Sequence, residues 1–316
     1  MAVILTQPTR RTVLTNLAKL AGGTVFARSL LWCSPEQGVG RYAPMVSVQT
    51  YIWLQHFASV KETLSEGVNE ALRSIHQAGY RRVELTSDFL QPEVREKTVH
   101  LLAQYALAPE TVYAGTTMHE ANAAQKSIQE VVELARVLKP LRTRAVVTNP
   151  SPKPNQVRKS DDELNTQAHY VNQLGAELRR QGMKLQIHHH TPELLDNARE
   201  WRHLVQHTDP KLVSCCVDVH WAFRGGQEVM PFLREVGNRL ASLHLRNSQH
   251  GVWMEDLGPG EVDYPQVAEY LHQIKYHGYL VVELAYEKNT LITRSLEEDL
   301  RLSRLYTEKV FGLRPS

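Results

Sequence analysis

Three ionisable residues stand inside apolar runs where a buried strand would normally carry none. Asp218 ends Cys216-Val217-Asp218, His244 sits within Leu243-His244-Leu245, and Glu283 follows Val281-Val282. A fourth run, Ile187-His188-His189-His190, ends an apolar stretch in imidazoles. Charge in a buried strand is costly unless it is paired or bound to a metal. Taken singly, Glu283 could pair with Arg246 and His244 could be a hydrogen-bonded core histidine. Three such residues near the ends of different strands favour one shared site instead. Carboxylate and imidazole donors together suit a divalent Mn2+, Mg2+, Co2+ or Zn2+ ion better than a soft metal.

The elements that must deliver these residues can be read from periodicity. After Pro44 the chain alternates strand-length apolar runs with longer helical patterns, the mark of repeated βα units. Expected strands are Val46–Ile52, Arg82–Leu85, Thr111–Ala114, Ala145–Thr148, Leu185–His188, Leu212–Val217, Leu240–Leu245 and Leu280–Leu284. Helical stretches include Glu66–Gln77, Ala123–Leu138, Asp161–Arg180, Pro192–Gln206 and Pro265–Ile274. Gly79 and Gly278 are each expected to stop a helix before a strand. Eight such units predict a closed (β/α)8 barrel, whose sites lie on the loops after the strands. The segments Pro150–Pro154 and Arg246–Tyr264 are two of these loops. An open sheet binding a dinucleotide would need a glycine fingerprint that Gly225-Gly226 does not supply.

Several motifs carry a resemblance to a known family. Ile187-His188-His189-His190-Thr191-Pro192-Glu193-Leu194 resembles the strand-five Tyr-His-Asn-His-x-x-Glu-Phe signature of the xylose-isomerase-like sugar isomerase/epimerase superfamily. Asp218-Val219-His220-Trp221 with Arg224-Gly225-Gly226 is similar to its strand-six motif, and Asn238-Arg239-Leu240 through His244-Leu245-Arg246 to its strand-seven motif. Gly258-Pro259-Gly260-Glu261-Val262-Asp263-Tyr264 resembles its Gly-x-Gly-x-(Ile/Val)-Asp-(Trp/Tyr) loop. Val282-Glu283 matches its strand eight, and Gly79-Tyr80 with Val83-Glu84-Leu85 its strand two. The likeness spans roughly residues 45–312 and keeps the motifs in order.

The resemblance implies a divalent metal held by His188, Asp218, His244 and Glu283, with His190 as the other strand-five choice because it lies on the same strand face. It also implies proton abstraction beside a sugar carbonyl. Glu283 and His190 are candidates to move the proton, with Glu84 close by at the end of strand two. Arg246, His220, Trp221 and Glu193 are expected around the substrate, and Glu193 is expected to orient one of the histidines. Arg246-Asn247 stands where many relatives have Lys-Asp, so a planar fork replaces a point charge. His220 stands where glycine is frequent, adding a titratable group beside Asp218. Reprotonation then gives isomerisation or epimerisation, while loss of a β-substituent, as from a 3-keto-glycoside, gives a lyase. A non-catalytic carbohydrate-binding barrel is the further alternative.

Composition narrows the classes. The 316 residues carry 36 Lys and Arg against 34 Asp and Glu, a net charge of +2. That balance speaks against a nucleic-acid platform, and so against the abasic-site endonucleases that share the barrel. Three cysteines make no disulfide framework, and adjacent Cys215 and Cys216 read as small buried hydrophobes. At the N-terminus, Arg10-Arg11 precedes a broken apolar stretch, Leu17 to Leu31, in the manner of a twin-arginine export signal. The expectation is a signal peptide and linker over 1–40, the barrel over 41–316, use of the twin-arginine export machinery and a periplasmic or secreted mature protein. Without that signal the protein would be cytoplasmic. The apolar stretch is too short for a stable membrane anchor, and Cys33 after Leu31-Trp32 is a poor site for a lipid. Nothing in the sequence sets the oligomeric state.

Overall fold

The computed structural model describes residues 41–314. The expected signal segment, with Arg10, Arg11 and Cys33, lies outside them. Among the described residues eight parallel strands close into a ring: β1 Met45–Gln49, β2 Arg82–Thr86, β3 Ala108–Tyr113, β4 Ala145–Thr148, β5 Lys184–Ile187, β6 Val213–Asp218, β7 Leu240–Leu245 and β8 Tyr279–Val282. Each strand pairs with its neighbour in the sequence, and β1 pairs with β8 through Met45↔Tyr279 to Val48↔Val282 to close the barrel. No helix of the described residues is long and apolar enough to cross a membrane.

Two residue sets alternate along each strand, as period-two geometry requires. One faces the surrounding helices. Val48, Val83, Leu85, Val112, Leu185, Val217, Leu243 and Leu245 are fully buried in that apolar layer. The other faces the barrel axis and is largely polar: Ser47, Gln49, Glu84, Thr111, Gln186, Cys216, Ser242 and His244 are all buried. Ser242 on β7 donates to Gln186 on β5, and His244 on β7 lies 2.9 Å from Glu84 on β2. Neither strand pair is adjacent, so these contacts cross the interior. Cys215 belongs to the apolar layer as expected, whereas Cys216 points inward.

The helices start where capping chemistry allows. Thr63 and Ser160 form capping boxes with Glu66 and Glu163, satisfying backbone N–H groups that a helix start leaves free. Asp161–Arg180 matches its expected span, and Leu64–Gln77, Ala121–Leu138 and Tyr264–Gln273 differ from theirs only at the ends. Three local expectations change. Strand one stops at Gln49, because Tyr51–Val60 turns into a helix. The helix expected from Pro192 is broken at Leu195–Ala198, where Asp196, Asn197 and Ala198 take left-handed backbone that Asp and Asn tolerate better than most residues. Gly79 has φ +92° and ends its helix, but at the second junction Lys275 takes the positive φ. Gly278 is there for closeness: a Cβ on it would lie 2.2 Å from the Ala241 carbonyl oxygen.

Candidate functional site

Parallel strands bring all their C-terminal ends to one rim, and the ladder sets which residues meet there. Asp218 stands opposite His244 across β6 and β7, and His244 stands opposite Val281 on β8. Glu283, two residues on, therefore faces the same interior, its N–H bonded to the Leu245 carbonyl at 3.0 Å. His188 continues β5 by one residue, with its N–H on the Thr148 carbonyl at 2.7 Å.

One donor atom from each of His188, Asp218, His244 and Glu283 falls within a cluster 4.8 Å across. His190 is outside it: its ring is partly exposed and centred 4.8 Å from that of His188. Of the two strand-five histidines, the geometry thus brings in His188. Both ring nitrogens of His188 are fully buried without a hydrogen-bond partner among the described residues, and burial holds the ring well below the usual imidazole range. A neutral imidazole with nothing to bond is costly in a protein interior, and it is the state a metal ligand needs. His244 Nδ1 lies 2.5 Å from Glu283 Oε2, and its Nε2 lies 2.9 Å from Glu84 Oε1, neither aligned as a hydrogen bond.

Charge balance points the same way. Glu84, Asp218 and Glu283 are three buried carboxylates facing a single guanidinium, Arg246, which lies 2.9 Å from both Asp218 Oδ2 and Glu283 Oε1. One guanidinium thus serves two buried carboxylates, an arrangement to which a divalent cation would add the positive charge that buried acids need. Burial opposes ionisation of Glu283, but Arg246 and His244 outweigh it and hold the carboxyl down at about 2. Burial likewise opposes charging His244, yet Cys216, Glu84 and Glu283 push its pKa well up. Two nitrogens and carboxylate oxygens fit a borderline divalent ion such as Mn2+, Co2+ or Zn2+. Cys216, with His188 and His244, forms a second three-donor group deeper in the barrel.

Other expected residues take specific places. Glu84 is fully enclosed, accepting from Gln49 Nε2 at 2.8 Å and Thr111 Oγ1 at 2.7 Å. It lies beside His244 inside the barrel. Glu193 accepts the backbone N–H of His190 at 2.7 Å, so it orients that backbone and not an imidazole ring. Its other oxygen is buried without a partner among the described residues, and desolvation raises its pKa to about 7. His220 bonds Ser248 Oγ at 2.7 Å and burial pushes its pKa down to about 3. Arg246 turns to Asp218 and Glu283, while Asp263 caps the next helix through Gln266. Burial similarly lowers His190 to about 4, leaving its imidazole uncharged at neutral pH.

Three aromatic residues complete the surroundings. The Arg246 guanidinium lies 5.5 Å from the Trp221 ring and 4.9 Å from the Trp253 ring, within cation–π range. Trp253 had no separate signal; it comes from a two-stranded ribbon, Ser248–Gln249 with Val252–Trp253, inside the segment read as loop. Glu287 fixes this ribbon, accepting the Trp253 N–H at 2.6 Å and both Arg224 Nη groups at 2.9 and 2.8 Å. Tyr113 packs edge-on to His188 at 5.5 Å and donates its hydroxyl to Asn149. A tyrosine and an asparagine at strand ends look like ordinary core and turn residues, so neither stood out in the sequence.

With this geometry in view, comparison with known proteins identifies the lineage. The profile described as xylose isomerase-like TIM barrel matches residues 72–306. The chain belongs to this family. An inosose dehydratase of Clostridium perfringens is 27% identical over 168 residues, 48% of this chain, and the chain spans only 56% of that relative's length. A sugar phosphate isomerase/epimerase of Parabacteroides distasonis has the same fold with a TM-score of 0.67, at 16% identity, covering 88% of this chain and 96% of the other. A D-psicose 3-epimerase of Clostridium cellulolyticum superposes with a TM-score of 0.66 at 14% identity, covering 84% and 99%. Proteins similar to this chain thus include a sugar epimerase with the same fold and an inosose dehydratase related in part of its sequence.

Proposed function

We propose that the protein is a metal-dependent isomerase or epimerase that abstracts a proton beside the carbonyl of a sugar. The observation that carries this reading is the buried cluster of His188, Asp218, His244 and Glu283 at the C-terminal rim of the barrel, with both His188 nitrogens lacking a hydrogen-bond partner among the described residues. When bound, a divalent ion supplies Lewis acidity toward neighbouring substrate oxygens. His190 is the better placed base: its ring is partly exposed and uncharged at neutral pH, whereas Glu283 is already engaged by Arg246 and His244. Arg246 offers positive charge to the oxygen on which charge develops. The two indoles and His220 shape the apolar wall around it and limit water.

Elimination of water is a second reading, supported by the likeness to inosose dehydratases. It uses the same proton abstraction, followed by departure of a β-hydroxyl. A product analysis in deuterated water separates the two, using metal-loaded protein with aldoses, ketoses, inososes and 3-keto-glycosides. Deuterium at one carbon with the substrate skeleton kept supports isomerisation or epimerisation; an unsaturated or deoxygenated product supports elimination. No exchange with any carbonyl sugar in the presence of Mn2+, Co2+ or Zn2+ would remove both readings. We further propose that Arg10-Arg11 and the apolar stretch after them direct export of the protein.

A further inference from the structure

A cleft of about 300 Å³ opens between the loops after β4 and β5, on the same rim as the candidate metal centre. This is at the low end of the volume of small-molecule sites, about 300–1,000 Å³. Its walls start from residues around the centre. Pro192 lines the cleft two residues beyond His190, a separation of ~7 Å at most along the chain. Pro152 lines it three residues beyond Asn149, which holds the Tyr113 hydroxyl against His188.

The lining has a definite chemistry. Lys159 is 3% exposed and its ammonium is fixed by Glu200 at 2.6 Å and Gln167 at 2.8 Å. Each of the other cations in the lining also has an acid: Lys153 meets Glu163 at 2.5 Å, Arg199 meets Asp161, and Arg158 meets Asp196 at 3.0 Å. Every cation of the described lining already has an acid beside it, so a phosphate would have to compete with that acid for its charge-assisted hydrogen bonds. Val157 and Leu195 add apolar surface at the mouth, 56% and 51% exposed. With Asp161 and Glu163 beside the lining counted, four acids offset its four cations. Such offset polar heads with apolar flanks suit a neutral, polyhydroxylated ring, whose hydroxyls bond the heads and whose C–H faces cover the flanks.

The mouth is closed by little. Arg158 and Asp196 join the two loops, but their side chains are 65% and 52% exposed, and pairs so exposed contribute about 0–1 kcal/mol. Both walls also hold non-glycine residues in the left-handed region, Asn155 and Gln156 on one side and Asp196 to Ala198 on the other. Such backbone is found where loops are held in place for a ligand.

We propose that this cleft is a second subsite, which receives the neutral polyhydroxylated group joined to the reacting ring, so that the substrate is a glycoside and not a free or phosphorylated monosaccharide. The proposal rests on the reading that the reacting sugar lies at the His188–Glu283 centre. It is tested by calorimetry on the full chain with a panel of neutral disaccharides, their constituent monosaccharides and the corresponding 6-phosphates. At least one disaccharide should bind about tenfold more tightly than its monosaccharide, a difference of about 1.4 kcal/mol. Val157→Asp with Leu195→Asp, both at exposed positions, should abolish that advantage and leave monosaccharide affinity within about twofold. The absence of any such preference, its survival in the double variant, or tighter binding of a 6-phosphate would each overturn the subsite. Asp218→Ala keeps the two ideas apart. If it retains metal while the disaccharide preference holds, the metal reading fails and the cleft stands. If it loses metal while the wild-type protein prefers no disaccharide, the cleft alone fails.

Discussion

Asp218 divides its two oxygens. Oδ1 accepts the Trp221 N–H at 2.7 Å and caps the helix Val219–Arg224, while Oδ2 meets Arg246 at 2.9 Å and lies 3.9 Å from His188 Nε2. Asp218→Ala and His244→Ala should therefore abolish tight metal binding and activity together, read by metal analysis and turnover. His188→Ala should lose the metal and His190→Ala should keep it; the reverse pattern would give the ligand role to His190. Arg246→Ala leaves two buried carboxylates facing each other, a loss of about 3–5 kcal/mol in the metal-free protein. A divalent ion should restore more thermal stability to that variant than to the wild type, because it replaces the missing positive charge. Glu193 gives a pH signature. Its pKa is raised in the folded state to about 7, so its stabilising effect is complete below the ordinary carboxylate range and is lost as pH rises through 7. Glu193→Gln should be indifferent below pH 4 and more stable than wild type above pH 7, by up to about 3 kcal/mol, in melting curves across pH. Residues of this kind were legible because charge inside an apolar strand is conspicuous. Trp253, Tyr113 and Cys216 were not, since an aromatic ring or a thiol among hydrophobes reads equally well as core.

Elements were legible to the extent that they repeat a period. The eight expected strands all exist, and the apolar faces of Leu243 and Leu245 pack outward as alternation requires. Strand ends were harder: β5 stops at Ile187 and β8 at Val282, so His188 and Glu283 each stand one residue past the ladder, where side chains are free to turn toward the axis. The ribbon carrying Trp253 was invisible, because two residues per strand leave no pattern and its shape depends on contacts elsewhere. One of those contacts is Gly260. A Cβ there would lie 2.4 Å from the Ser248 carbonyl oxygen and 2.6 Å from Asn247 Cγ, whereas at Gly258 the nearest atom is the end of Met254 at 3.3 Å. Gly260→Ala should thus cost about 1–3 kcal/mol and displace the ribbon, seen as a changed tryptophan emission. Gly258→Ala should be mild by comparison.

For the whole molecule, metal and fold are linked. An ion at a hundredfold excess over its Kd adds about 2.7 kcal/mol of stability, and the resulting rise in Tm should vanish in Asp218→Ala. Export is tested on the intact chain: Arg10→Lys with Arg11→Lys should hold the precursor in the cytoplasm, and unchanged delivery would remove the twin-arginine assignment without touching the barrel. The ring seam has a different consequence, in time. β1 and β8 pair residues 45–48 with 279–282, more than two hundred positions apart, and contacts of such separation form late and slowly. Until Tyr279–Val282 has been synthesised, β1 and β7 are both open edges, able to pair with other chains. All four donors lie between His188 and Glu283, and the last follows directly on the strand that shuts the ring. Ring closure and completion of the metal centre are therefore one late event during synthesis, and a ribosome-bound chain stopped short of β8 should neither bind metal nor resist protease.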